Sequence, residues 1–321
     1  MRSLTVFGPA TAVVLALVMA AHGAAAQDAM KIAVGQRGNW NMMMAALGQT
    51  KGIFRRHGIT LDILYTAGGG ETLQAVISNS VDVGIGPGTM AVLGAYQKGA
   101  PLRIIGAEST GAADFWYART ELGLGSLRDA RTETTIAYST SGASTHGMAL
   151  AFVKAYGLKS KLVATGNPQV TFTAVMTGQI DVGWSSPPVG LTALQEGKIR
   201  IVGRANDLPN MRSETIRVIT ANKENVVVKP AIYNRFMKAY RETLAWAYAG
   251  DEAVEIYARE TDIPVPVARQ VRDEFFAWPA LDPDRINGLE PQMEDAVAFK
   301  YLRKPLTDSE LADLITIPPR E

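Results

Sequence analysis

The chain has 321 residues, of which 47% are hydrophobic and 20% charged, so it is long enough for two globular domains. Its 32 basic and 31 acidic residues nearly balance, which argues against nucleic acid or an anionic membrane surface as the main partner. The chain contains no cysteine, which excludes disulfides, thiolate metal sites and a cysteine nucleophile.

The first 26 residues have the pattern of a secretory signal peptide. Arg2 precedes the apolar run AVVLALVMAA, and Ala24, Ala25 and Ala26 form an A-x-A cleavage pattern. The run is shorter than the ~20 residues that a membrane-spanning helix needs. We therefore expect cleavage after Ala26 and a soluble periplasmic protein without direct membrane insertion. A retained membrane anchor is the alternative.

Short strands and helices alternate from residue 31 onwards. The pattern predicts a strand at 31–34, a loop with two glycines at 35–40, and a helix from about Asn41. Alternating apolar residues then predict a half-buried strand at 59–63. A glycine-rich loop at 66–70 leads into the next helix.

One stretch of the sequence occurs twice. TLQAVISNSVDVG, which begins at Thr72, recurs 99 positions later as TFTAVMTGQIDVG, which begins at Thr171, and six positions are identical. Each copy predicts a helix, a tight turn and a short buried strand. A spacing this long indicates two related lobes rather than a solenoid, whose repeats span about 20–50 residues. An apolar pattern common to any two helix–strand units is the alternative explanation.

The remaining elements complete two similar lobes. The sequence predicts a turn at 86–89, strands at 102–105, 135–138 and 161–164, and two extended crossovers, one beginning at 115–117 and the other at 216–221. From Pro230 the pattern becomes helical, which predicts a helical tail on the first lobe. The predicted organisation is a signal peptide at 1–26, lobe 1 at 27–115 plus 216–321, and lobe 2 at 116–215.

These patterns predict an α/β fold with two lobes. Each lobe is expected to have a mainly parallel sheet flanked by helices, and the chain to end in the helical tail. Ligands of open α/β sheets bind outside the carboxyl ends of the strands. If the lobes face one another, the loops at those ends meet in a cleft.

The cleft loops present backbone N–H groups at helix N-termini, beside hydroxyl and amide side chains. The richest is STSGASTH at 139–146, which could surround an oxyanion; helix capping by Ser141 or Ser144 is the alternative. Three tryptophans at positions 40, 116 and 184 lie near the loops and could pack on a ligand or belong to the cores. Arg37 is the cation best placed for a charged ligand, and Arg204 is a weaker candidate.

Enzyme motifs are incomplete. GASTHG lacks the glycine two positions after Ser144 that a nucleophile elbow requires, and no P-loop occurs. His57 and His146 are too far apart to give a local metal-ligand motif. Asp82 and Asp181 occupy equivalent positions of the repeat, where we expect each to shape a turn or strand of its own lobe. We therefore predict no catalytic residue, metal or cofactor.

The chain resembles the periplasmic substrate-binding proteins of ABC importers for nitrate, sulfonates, taurine and thiamine precursors. The resemblance covers almost the whole chain after the signal and rests on the order of KGIFRRHGITLDI, GGGETLQAVISNSVDVG, AYQKGAPLRIIG, GSLRDARTETTIAYSTSGAS and VMTGQIDVG. It implies the type II periplasmic binding protein fold, in which two lobes joined by two hinge crossovers close on one small ligand. It also implies a monomer that delivers this ligand to a permease with an ATPase.

The resemblance implies ligand contacts in the cleft loops. The residues concerned are Gln36, Arg37, Gly38, Asn39, Trp40, Gly69, Gly70, Gly88, Thr89, Ser139, Thr140, Ser141, Gly142, Ser144, Asn167, Trp184, Ser185 and Ser186. A sulfonate or carboxylate suits the helix N-termini, and a neutral heterocycle between the tryptophans is the alternative. A sensory binding protein that docks on a receptor is a second hypothesis for the function. An enzyme on this fold, like the thiamine-pyrimidine synthases, is a third.

Overall fold

The computed structural model describes residues 27–320, so the predicted signal peptide lies outside the described residues. No helix within 27–320 is long and apolar enough to cross a membrane. The described residues form ten β-strands: β1 (Asp28–Val34), β2 (Ile59–Tyr65), β3 (Val83–Gly88), β4 (Leu102–Thr110), β5 (Phe115–Arg119), β6 (Thr135–Tyr138), β7 (Lys161–Ala164), β8 (Val182–Ser185), β9 (Ile199–Arg204) and β10 (Thr215–Asn222).

The strands form two sheets with the same arrangement. The order is β2-β1-β3-β10-β4 in the first sheet and β7-β6-β8-β5-β9 in the second. In each sheet the fourth strand runs antiparallel to both neighbours, and it comes from the other half of the chain. The other four strands share one direction, which confirms the predicted mainly parallel sheets.

Helices cover both sheets. They are α1 (Met44–Thr50), α2 (Ile53–Arg56), α3 (Gly69–Ile77), α4 (Thr89–Gln97), α5 (Ser144–Tyr156), α6 (Pro168–Met176), α7 (Leu191–Gln195), α8 (Lys223–Val228), α9 (Pro230–Ala249), α10 (Glu252–Thr261), α11 (Val265–Gln270), α12 (Leu289–Ala298) and α13 (Asp308–Leu314). Phe236 of α9 packs in one core of the first lobe, and Leu314 of α13 packs in another. The helical tail predicted on the first lobe is therefore confirmed.

The repeated stretch forms the same unit in both lobes, α3 with β3 and α6 with β8. Its aspartates have equivalent contacts: Asp82 accepts a hydrogen bond from the Lys31 amide at 2.8 Å, and Asp181 accepts one from the Thr135 amide at 2.8 Å. Each carboxylate thus ties its unit to a neighbouring parallel strand of its own sheet, β1 for Asp82 and β6 for Asp181. The two aspartates therefore have structural roles, each within its own lobe, as the sequence predicts.

Three predicted boundaries are wrong. Residues 115–117 begin β5 inside the second sheet, and 216–221 belong to β10 inside the first, so the chain crosses between sheets at 111–114 and 205–214. The turn predicted at 86–89 is the end of β3, which continues to Gly88. A buried interior strand and a crossover both appear in the sequence as an extended apolar run, so the pattern alone does not separate them.

Candidate functional site

The loop between β6 and α5 touches the first lobe directly. The Gly70 amide donates to Thr140 Oγ1 at 3.3 Å. A Cβ on Gly70 would overlap the Ser141 carbonyl oxygen, and one on Gly88 would lie 2.8 Å from the Ser144 nitrogen. Glycine at 70 and 88 therefore allows the two lobes to meet backbone to backbone, as in a closed cleft.

A small cavity lies between the lobes beside this contact. Its volume is about 10 Å³, room for about one water molecule. Its polar lining comes from both lobes: Gln36, Ser139, Ser144, Thr145 and Arg217. We call it the arginine cavity.

The N-terminus of α5 provides hydrogen-bond donors at the arginine cavity. Helix α5 has 13 residues, and its N-cap residue, Ala143, makes no side-chain cap. Within residues 27–320, the amides of Ser144 and Thr145 have no hydrogen-bond acceptor. The first amides of a helix carry partial positive charge, so this end favours an anion or another acceptor.

Arg217 is held in place by a buried ion pair. Its Nη2 lies 2.9 Å and 2.8 Å from the two carboxylate oxygens of Asp114. Asp114 belongs to the first crossover, and Arg217 to β10 just after the second, so the pair joins the first crossover to the strand that follows the second. Burial works against the charge of Arg217, but Asp114 and Glu108 outweigh it and raise the pKa of the guanidinium.

Glu108 is the third member of this buried group. It is 1% exposed and accepts hydrogen bonds from Asn41 at 2.8 Å and Ser109 at 2.9 Å. Burial raises the pKa of Glu108, although Arg217 and the two hydrogen bonds oppose the shift. Sequence reasoning missed Glu108, Asp114 and Arg217. The sequence does mark two of them, because Glu108 and Arg217 stand in the otherwise mostly apolar strands LRIIGAE and TIRVIT.

A second small cavity also borders Ser144, and its volume is again about 10 Å³. Its polar lining includes Thr89, Ser144, Glu214 and Gln292. Burial, and secondarily the charge of Asp295, raise the pKa of Glu214 to about 7. Sequence reasoning also missed Glu214, because nothing near it in the chain marks it as buried. We call this space the glutamate cavity.

An open groove of about 670 Å³ lies on the surface between the lobes. Arg37 and Gly38 line it from the first lobe, and Asn167 lines it from the second. The Arg37 guanidinium lies 5.6 Å from the Tyr65 ring centroid. The Asn167 side chain caps α6 by accepting from the Val170 amide at 2.9 Å.

The three tryptophans are buried and pack in the hydrophobic cores of the two lobes. Trp40 is fully buried, and its Nε1 donates to Tyr248 at 3.0 Å. Trp116 and Trp184 belong to the core of the second lobe.

The other predicted residues lie at three kinds of place. Gln36 and Gly69 line the arginine cavity, and Gly88, Thr89 and Ser144 line the glutamate cavity. Asn39, Ser185 and Ser186 are buried. Gly70, Ser139, Thr140, Ser141 and Gly142 lie at the contact between the lobes.

Both histidines of the described chain have structural partners. His57 Nε2 lies 2.7 Å from Glu242, and His146 Nδ1 lies 2.8 Å from the Tyr301 hydroxyl. The His146 ring also stacks on Tyr138. Residues 27–320 contain no cluster of His, Asp or Glu that could hold a metal ion.

Comparison with known proteins links this fold to solute-binding proteins. Residues 39–253 match the family described as NMT1/THI5 like. The structure is similar to the alkanesulfonate-binding protein SsuA from Xanthomonas axonopodis pv. citri bound to MOPS, with a TM-score of 0.74 and 17% identity over 91% of this chain and 100% of that one. None of the curated proteins searched matches the sequence.

Two further solved structures share the fold. One is the periplasmic nitrate-binding protein NrtA from Synechocystis PCC 6803, with a TM-score of 0.68 and 14% identity over 90% of this chain and 85% of that one. The other is the desulfurization enzyme DSZB, with a TM-score of 0.60 and 15% identity over 90% of this chain and 99% of that one. At these identities the similarity shows the fold alone.

Proposed function

The chain belongs to the NMT1/THI5-like family, and on that basis we propose that it is the periplasmic solute-binding component of an ABC importer. The observation that carries the proposal is the meeting of two matched lobes at loop 139–144, over a cavity lined by hydroxyls, free amides and Arg217. Neighbours named as sulfonate- and nitrate-binding proteins support the same role.

The proposed ligand is a small solute with an acid group, a sulfonate or carboxylate. Asp114 already neutralises Arg217, so the acid would be held mainly by the free amides of Ser144 and Thr145 and by neighbouring hydroxyls. A helix N-terminus contributes about 0.3–1 kcal/mol to such an anion, and up to about 2 kcal/mol when partly buried. A neutral heterocycle is the ligand class to test against it.

Ligand capture requires the lobes to separate. A cavity with room for about one water cannot admit a sulfonate or carboxylate solute while Gly70 rests on the opposite loop. We propose that 27–115 with 216–321 moves as one lobe and 116–215 as the other, about the crossovers at 111–114 and 205–214. A ligand that touches both lobes stabilises the closed form by its extra affinity for that form.

The closed form would be the species that the permease and its ATPase recognise, and the predicted signal at 1–26 would bring the monomer to the periplasm. We propose binding without catalysis, since the two described histidines are engaged with Glu242 and Tyr301 away from the arginine cavity. A sensory role would use the same closed form, with a receptor in place of the permease.

A thermal-shift screen of residues 27–321 tests the proposal. Nitrate, alkanesulfonates, aliphatic and aromatic carboxylates and pyrimidines would each be added to the purified protein. A ligand at about 100 times its Kd stabilises the folded state by about 2.7 kcal/mol. We expect a sulfonate or carboxylate to raise the melting temperature and to be recovered unchanged. Chemical turnover of the stabilising compound would contradict the binding-protein role.

A further inference from the structure

A groove of about 500 Å³ lies along α9 in the first lobe. Its walls come from α9 between positions 234 and 245 and from two segments of the tail, 278–283 and 319–320. It shares no lining residue with the arginine cavity or the glutamate cavity. Its volume falls within the range of about 300–1,000 Å³ that is typical of small-molecule sites. We call it the α9 groove.

The apolar part of the α9 groove contains an exposed tryptophan. Trp278 is 42% exposed, and no other aromatic side chain within residues 27–320 is as exposed. Its ring packs edge-on against Tyr248, with the centroids 5.1 Å apart and the planes at 75°, which orients it. Leu244 and Pro283 also line the groove. A tryptophan held in this way offers an apolar surface to the ring of a ligand.

The charged part of the α9 groove has one cation without a partner. Three arginines that line it are each paired with an aspartate: Arg235 with Asp28, Arg241 with Asp284, and Arg320 with Asp282. Lys238 is exposed, and its ammonium group forms no salt bridge within residues 27–320. It lies three positions before Arg241, so both point from the same face of α9. One unpaired ammonium group favours a ligand with one acid group.

We propose that the α9 groove is a second binding site, for a small aromatic carboxylate whose ring lies against Trp278 and whose acid group pairs with Lys238. The site goes beyond the capture of a solute between the lobes, because all of its walls belong to one lobe. Movement of the lobes leaves these walls in place. The carboxylate therefore binds the open and the closed form equally well and does not drive closure.

Isothermal titration calorimetry on residues 27–321 tests the site with two probes, 1-naphthaleneacetate and its uncharged analogue 1-naphthaleneacetamide. We expect the acid to bind about fivefold more tightly than the amide, which is near the upper limit for one exposed ion pair. Lys238→Gln should abolish this difference. Trp278→Ala should weaken the binding of both probes about tenfold, because an aromatic pair contributes about that much.

Lys229→Gln is the matched control, since it removes an exposed lysine that precedes α9 and does not line the groove. It should leave both affinities unchanged. Gly70→Val should also leave them unchanged, because Gly70 lies at the contact between the lobes. No binding of the acid, or equal binding of the acid and the amide, would overturn the site. A dimer that Trp278→Ala disrupts would also overturn it, since a second copy would then cover the groove.

Two further outcomes separate this site from solute capture. If Gly70→Val abolishes binding of 1-naphthaleneacetate and Trp278→Ala does not, the probe binds between the lobes. Solute capture then stands and the α9 site fails. If binding depends on Trp278 while no acid binds between the lobes, the α9 site stands and the proposed capture of an acid fails.

Discussion

Replacing Glu214 with glutamine should change how the stability of the protein depends on pH. Burial, followed by the charge of Asp295, raises the pKa of Glu214 from 4.5 to about 7 in the folded chain. The folded state therefore binds a proton more tightly than the unfolded state does. Stability from this group is fully present below pH 4.5 and is lost as pH rises through 7.

The size of the effect follows from the shift. A difference of about 2.5 pKa units corresponds to about 3 kcal/mol in the free energy of unfolding, and about 2–3 kcal/mol of this falls between pH 5 and pH 8. Glutamine has nearly the same shape and no charge to desolvate. We therefore expect Glu214→Gln to be more stable than the wild type at pH 8, with a much smaller difference at pH 5.

Urea unfolding at pH 5, 6, 7 and 8 measures the effect. Subtracting the wild-type profile from the variant profile removes the contribution of other titrating groups, including Glu108. Glu290→Gln, at an exposed position, should give a profile parallel to that of the wild type. If the free energy of unfolding of Glu214→Gln has the same pH profile as that of the wild type, the carboxyl group is not desolvated in the folded state. The reasoning about its buried oxygen, which has no hydrogen-bond partner within residues 27–320, is then refuted.

Three other substitutions test the architecture. Gly70→Val should weaken ligand binding at least tenfold and increase the radius of gyration measured with ligand, because its side chain would hold the lobes apart; Gly250→Ala, at an open position, should do neither. Asp114→Ala should lower the free energy of unfolding by about 3–5 kcal/mol in urea, since it leaves a buried guanidinium unpaired, and a loss below 1 kcal/mol would contradict the role of the ion pair. Asp82→Ala and Asp181→Ala should each cost about 0.5–1.5 kcal/mol in separate melts, because each removes a hydrogen bond to a strand amide, and a neutral effect at either position would break the equivalence of the two lobes.

The repeat is the part of the fold that the sequence predicts best. Gly84 and Gly183 end its two copies, and a Cβ on either would come within 2.7 Å of a valine methyl carbon at the matching position, Val76 or Val175. The recurrence of glycine and valine is therefore a local packing requirement, in which a helix lies close against the strand that follows it. Such short-range requirements leave a pattern in the sequence, and the pattern was sufficient to predict two lobes and the family.

The candidate site depended on contacts between distant parts of the chain. Loop 139–144 was predicted from its own composition, because hydroxyls and glycine at a helix start have a local meaning. Trp40, by contrast, follows a glycine loop in the sequence but packs against Tyr257, more than 200 positions later. A large side chain beside a cleft loop can turn towards either the ligand or the core, and only the tertiary packing decides which.

The sequence by itself determined the two-lobed α/β fold, the internal repeat, the helical tail and the loops that meet between the lobes, since each follows from periodicity or turn chemistry within a few residues. The tertiary structure alone decided that Asp114 pairs with Arg217, that Glu108 joins them, and that Glu214 and Gln292 share a cavity. Burial and charge pairing arise between segments far apart in the chain, such as Asp114 and Arg217, which are 103 positions apart. No local pattern encodes which polar side chains the closing lobes bury together.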